Sequence, residues 1–176
     1  MAHRALVAYE RPDGRYDVHT ARWGGHEWLV PRITPTDPYA DGAVDPEPRV
    51  VGRPLASVRT MLDFARHEAL YVVDRAYAVE SYVPLWLDLD HYLGPAADDS
   101  VGDGSDTETD DPEGLLVAVD SATEAARLRR WLRAAKATLA EAVAADCLTP
   151  EAARSVLERA AARQAGERAR LDADVD

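Results

Sequence analysis

The sequence predicts an α+β domain: a mainly antiparallel sheet of about five strands in the order β-β-α-β-β-β-α-α, covered on one face by helices, with a C-terminal helical hairpin. Three observations lead there. Two pairs of short runs rich in β-branched and aromatic residues flank turn-forming residues, over 5–23 and 69–89. Two C-terminal segments carry apolar residues at spacings of three and four, each behind a capping residue. A chain of 176 residues with 47% hydrophobic content can bury one core without metal or disulfide staples, so 1–176 is expected to form a single domain.

The first pair, ALVAYE (5–10) and YDVHTARW (16–23), encloses RPDGR. Pro12 presets its φ, Asp13 bonds locally and Gly14 accepts positive φ, which makes a β-hairpin. TPTDPYADGAVDPEP (34–48) holds four prolines and is expected to wrap the surface without regular structure. LASVRTMLDFARHEA follows, with Leu55, Val58, Met61, Leu62 and Ala65 on one face of a predicted helix. ALYVVD (69–74) and AVESYVPLWLDL (78–89) form the second hairpin around RAY. Pro84 lacks a ladder donor and predicts an edge strand or a bulge.

GLLVAVD (114–120) reads as a short buried strand running into a helix start. Ser121 and Glu124 supply the capping box S-x-x-E, and the helix is expected over 122–145. Thr149 and Pro150 open a last helix expected to end near Arg170, packed on its predecessor as a tight hairpin. Residues 171–176 are expected to fray. Cys147, the lone cysteine, sits in a short apolar context and reads as a small buried side chain.

The charge is distinctive: 32 acids face 20 bases, Lys136 is the sole lysine, and asparagine is absent. Carboxylate excess with arginine for lysine is the surface expected in molar salt, where self-repulsion is screened within about 3 Å. Three quarters of the net charge of −12 lies in residues 91–120, which hold nine acids and no Lys or Arg. Residues 94–114 therefore read as a mobile acidic loop with too little apolar surface to order itself. Their carboxylates do not match the twelve-residue EF-hand spacing. No apolar run of about 18 residues occurs and the start MAHRALVAYE has no signal-peptide pattern, so a soluble, cytoplasmic protein is expected.

Walker A, G-x-G-x-x-G, G-x-S-x-G, H-E-x-x-H and Cys-x-x-Cys are all missing, which disfavours standard NTPases, dinucleotide enzymes and zinc fingers. No metal site is assigned and no cofactor is identified. The densest chemistry is HTARWGGHEW (19–28). His19 and Asp17 share the strand face expected to be wet. Trp23, His26 and Glu27 are candidate ligand-binding residues at the hairpin rim; the preferred reading nonetheless assigns Trp23 and Trp28 to core packing, and Trp86 and Trp131 read as core. An acid-base pocket would need His26, His67 and Glu68 to meet there as catalytic candidates. On the 122–145 helix, Leu128, Trp131, Leu132, Ala135, Leu139 and Val143 are assigned to one face and Arg129, Arg133 and Lys136 to the opposite one, a candidate nucleic-acid stripe. High salt argues against it: five phosphate contacts would lose roughly four orders of magnitude in affinity per tenfold rise in salt.

HRALVAYERPDGRYDVHTARWGG, DPEP at 45–48 and RHEALYVV at 66–73 resemble a family of small haloarchaeal proteins of unassigned function, most closely over residues 3–90. The resemblance implies a halophilic host and supplies no catalytic residues. The function expected is a non-enzymatic module that binds a protein or small molecule through the hairpin rim. The alternatives are a metal- or acid-base-dependent hydrolase using the His/Glu pocket and, behind it, a nucleic-acid-binding regulator. Homo-oligomerisation is compatible with the sequence.

Overall fold

A computed structural model describes residues 4–23, 28–93 and 114–166. The first hairpin is formed by β1 (Arg4–Glu10) and β2 (Tyr16–Ala21), in register from Ala5↔Ala21 to Glu10↔Tyr16. Gly14 adopts φ +73 in the turn, and the Arg11 amide donates to the Arg15 carbonyl at 2.7 Å. Strands β4 (His67–Val73) and β5 (Val79–Trp86) make the second hairpin. There the Asp74 carboxylate accepts from the amides of Ala76 and Ala78, both at 2.8 Å, and Tyr77 takes positive φ.

The hairpins join side by side through a parallel β1–β4 pairing. Outside them, β3 (Val50–Arg53) pairs with β2 and β6 (Gly114–Ala118) with β5, giving the order β3-β2-β1-β4-β5-β6. The sheet is thus mixed and six-stranded, with one parallel pairing in its middle. β3 is the strand beyond the expected set. It is four residues long, contains Gly52 at φ +66, and is held by the Gly52 amide donating to the Asp17 carboxylate at 2.9 Å. Arg11 braces the same carboxylate at 3.1 Å. Pro84 is not on an edge strand, because β5 lies between β4 and β6. It falls beyond the last β4–β5 pair, Leu70↔Tyr82, so that ladder loses no donor.

Both sheet faces are covered, where one had been expected to carry the helices. Strand alternation sends Ala5, Val7, Ala69, Tyr71 and Val73 to one face, against Leu29, Ile33, Ala40 and Val44 of the proline-rich connection. Further along that face, Val83, Leu85, Val117 and Val119 meet Ala125 and Leu128 of helix α3 (Ala122–Ala144). Leu6, Ala8, Val18, Leu70 and Val72 point the other way, onto Val58, Leu62 and Phe64. Each buried aliphatic side chain is worth about 1.5–3 kcal/mol, so both layers are needed to cover this sheet.

The second layer holds a helix much shorter than the spacing predicts. Helix α1 (Leu55–Arg59) has five residues. Beyond it the Asp63 carboxylate accepts from the Ala65 amide at 3.0 Å, while the Asp63 carbonyl accepts from Arg66 and His67. An aspartate offering its own turn competes with helix propagation. The three-and-four spacing there reports burial of Val58 and Leu62, not continued helix.

A one-turn helix, α2 (Asp90–Leu93), precedes the C-terminal part of the chain. Ser121 Oγ accepts from the Glu124 amide at 3.2 Å and the Glu124 carboxylate accepts from the Asp120 amide at 3.0 Å, which starts α3 as predicted. Helix α4 (Pro150–Ala165) starts on Thr149, whose Oγ1 accepts from the Ala152 amide at 3.2 Å. Leu157 and Ala153 of α4 enclose a further small core with Leu89. Cys147 is exposed in the hairpin turn, contrary to the buried position expected, because Asp146 takes φ +55 and turns the chain outward there. No described helix is long and apolar enough to cross a membrane. The predicted acidic loop, except Gly114, and the predicted frayed tail lie outside the described residues.

Candidate functional site

Hairpin geometry brings the first residue of β1 beside the residue that follows β2. Continuing the Ala5↔Ala21 register by one step sets Arg22 opposite Arg4. On its other side Arg4 pairs with His67, the first residue of β4. Three groups that are or can become cationic therefore stand in a row at one end of the sheet. Like charges directly opposite one another in a sheet are destabilising, and nothing in the fold requires them here.

They surround a cavity of about 470 Å³, lined by Arg4, Ala5, Thr20, Ala21, Arg22, Trp23, Arg49 and His67. Arg49, just ahead of β3, arrives from the proline-rich connection, where its amide donates to the Val18 carbonyl at 2.8 Å. Among the described residues the lining holds three arginines and no carboxylate, on a chain of net charge −12. Arg4, Arg22 and Arg49 are all exposed, and among the described residues none of their guanidinium groups has a hydrogen bond or an ion pair. Trp23 is 54% exposed beside them, contrary to the core packing expected, because it follows the end of β2 and no longer belongs to the paired strand.

His67 is the buried polar residue of this cavity. Its Nδ1 accepts from the Asp63 amide at 2.9 Å, so the neutral ring carries its proton on Nε2. Burial lowers its pKa first. Asp63 pulls the other way, and the nearby Arg49 and Arg4 lower it further. The neutral ring is thus a donor at Nε2 with its only lone pair already engaged.

The pairing of β1 with β4 shifts register between Arg4 and Ala5, which match His67 and Ala69 and leave Glu68 as the extra residue. A bulge of this kind re-aims side chains at a strand end. The Glu68 carbonyl is tied down by Arg129 of α3, whose Nη2 donates to it at 2.5 Å. Glu68 does not line the cavity. Of the catalytic candidates, the cavity takes His67, while His26 lies outside the described residues. Of the ligand-binding candidates it takes Trp23, while Glu27 also lies outside them.

The basic stripe assigned to α3 is not a single solvent face. Lys136 is only 3% exposed, and its ammonium donates to the Asp88 carbonyl at 2.6 Å above the rings of Trp86 (4.7 Å) and Tyr92 (5.4 Å). Its pKa is lowered by burial, against a smaller upward pull from Asp88. The physical reason is helical arithmetic: Lys136 follows Leu132 by four residues and precedes Leu139 by three, so it belongs to the apolar stripe. Arg129 is half-buried, and burial lowers its pKa as well. Arg133 is exposed. Trp86 and Trp131 are half-buried, and Trp28 packs edge-on against Tyr71 at 6.1 Å.

His19 is buried, not on a wet face. Its Nδ1 donates to the Asp45 carbonyl at 2.8 Å, and its ring packs between Tyr9 (5.2 Å) and Tyr39 (5.7 Å). Tyr9 donates its hydroxyl to the Pro38 carbonyl. These contacts pin the connection to the sheet, and burial raises the Tyr9 pKa. Among the described residues no group of three or more His, Cys, Asp or Glu is arranged to hold a metal ion.

Two overlapping stretches, residues 1–43 and 30–172, match one family of sequences and together span almost the whole chain. The chain belongs to the family of unknown function DUF6735. No curated protein and no solved structure matches it. For this member of DUF6735, the arginine-lined cavity is the concentration of uncommitted polar chemistry that its described residues offer. Arg4, Arg22 and Arg49 were not among the sequence candidates. The first two were accessible from the turn at RPDGR, which fixes the hairpin register and so sets them face to face.

Proposed function

We propose that this protein is a non-enzymatic binding module whose ligand is a small anionic molecule, held in the cavity at the rim of the first hairpin. One observation carries this reading: three arginines whose guanidinium groups have no partner among the described residues line one cavity, and no described carboxylate lines it with them. An anion bridging them would replace mutual repulsion with charge-assisted hydrogen bonds, the stronger class of such bonds. The cavity falls within the 300–1,000 Å³ typical of small-molecule sites.

The chemistry of His67 favours binding over hydrolysis. A general base needs a free lone pair within reach of the proton it takes, and the neutral ring has none to spare. The acidic, lysine-poor composition supports a high-salt cytosol as the setting. Recognition there rests on direct, directional hydrogen bonds, since charge attraction is screened within about 3 Å at 1 M salt.

Calorimetric titration of the full chain in molar KCl, with inorganic phosphate, citrate and sugar phosphates as probes, tests the proposal. At least one should bind saturably, and Arg4→Ser or Arg49→Ser should weaken that binding tenfold or more. If none of the probes binds, or the substitutions leave affinity unchanged, the reading is wrong.

A further inference from the structure

We infer that the ligand of this cavity is a phosphomonoester joined to a flat unsaturated ring, the chemistry of a nucleoside monophosphate, with the arginines holding the phosphate and Trp23 receiving the ring. This rests on the anion-binding reading above and narrows it by size, by the number of donors and by the aromatic wall.

Size comes first. A cavity of about 470 Å³ is far larger than inorganic phosphate or sulfate, and sites of this volume normally enclose molecules of drug-like size. A bare anion on the arginines would leave most of the space to water. The bound molecule therefore carries a substantial body as well as a charge.

The donors identify the charged end. Each guanidinium presents a rigid fork of N–H groups matched to two oxygens, and three forks converge. One carboxylate carries a single negative charge, which one bidentate arginine already neutralises. A phosphomonoester offers three terminal oxygens and close to two negative charges at neutral pH, which suits several arginines at once. In this sequence 19 of the 20 Lys and Arg residues are arginine, so arginine by itself is not selective; its threefold convergence is.

Trp23 identifies the other end. It is 54% exposed, adjoins Arg22 and lines the same cavity. An exposed indole at a ligand site can serve as a stacking platform for the face of a base. The Thr20 hydroxyl and the Nε2 donor of His67 supply neutral polar groups suited to a sugar or ring edge.

The experiment is calorimetric titration of the full chain in molar KCl with the four ribonucleoside monophosphates, ribose 5-phosphate, adenosine and inorganic phosphate. At least one nucleoside monophosphate should bind about tenfold more tightly than ribose 5-phosphate, the gap expected from one stacking contact. Trp23→Leu should abolish that gap without weakening ribose 5-phosphate, and Trp23→Phe should restore part of it. Arg49→Ser should weaken all the phosphate ligands together. If ribose 5-phosphate binds as tightly as every nucleotide, or Trp23→Leu leaves the gap intact, the ring assignment is overturned while the anion site stands. Adenosine binding as tightly as its monophosphate would overturn the phosphate assignment. Absence of binding by every phosphate compound would overturn this inference, while citrate binding in the earlier titration would preserve the broader anion reading.

Discussion

The cations at the rim of the first hairpin and those on the sheet-facing side of α3 are put to opposite uses. Lys136 and Arg129 are committed: each donates to a backbone carbonyl on another element, Asp88 or Glu68, and each is partly or wholly removed from water. Arg4, Arg22 and Arg49 have no such commitment among the described residues and stay exposed around a cavity. Chemically similar side chains thus act as internal braces in one region and as unfilled donors in the other. Sequence composition does not separate the two groups; their positions relative to the apolar stripe and the strand ends do.

The difference can be broken most forcefully at Lys136. Lys136→Ala removes the buried stem and leaves the Asp88 carbonyl without this donor, and should cost about 2–4 kcal/mol in chemical denaturation. Lys136→Met keeps the volume and sheds the buried charge, so it should cost less than about 1.5 kcal/mol. Arg129→Ala comes next, at about 1.5–3 kcal/mol, by freeing the Glu68 carbonyl at the bulge. It should also weaken any ligand of the cavity, because the bulge sets the position of His67.

His67 yields a smaller effect, visible as a pH dependence. The folded protein holds its pKa below the ordinary 6.5, chiefly by burial, with Asp63, Arg49 and Arg4 as the charged groups around it. The unfolded chain then takes up the proton first on acidification. The stability from the neutral ring is complete above about pH 6.5 and declines as pH falls below it. His67→Asn retains an acceptor for the Asp63 amide and should flatten that slope in denaturant midpoints measured between about pH 7.5 and 5.5. Smallest of all, Arg22→Ser or Arg49→Ser should change stability by no more than about 0.5 kcal/mol, while weakening anion binding tenfold or more. A large stability loss there would show that the rim arginines are braces after all.

Local chemistry was the legible part of the sequence. The turn at Pro12–Gly14 and the caps at Ser121 and Thr149 act over a few residues, and each element forms where those signals stand. Strand β3 was not legible, because a glycine-containing segment between Pro48 and Pro54 gains its conformation from β2 and Asp17. The length of α1 failed for a related reason, since the Asp63 turn imitates helical spacing while burying Leu62 and Phe64. At the site, Arg4 and Arg22 follow from hairpin register. The arrival of Arg49 and His67 depends on the long connection and on parallel pairing, which no local pattern encodes.

That parallel pairing also ties ligand occupancy to assembly. Arg4 and residues 20–23 belong to one hairpin and its immediate end, His67 begins the other, and Arg49 comes from the chain between them. The cavity exists only when the two halves are docked, so a ligand recognises the joined sheet and not either hairpin alone. If the proposed anion binds there, mass action would stabilise the folded chain by about 2.7 kcal/mol when free ligand stands at a hundred times its dissociation constant. Loss of the β1–β4 pairing would accordingly abolish the proposed binding even with every lining residue intact.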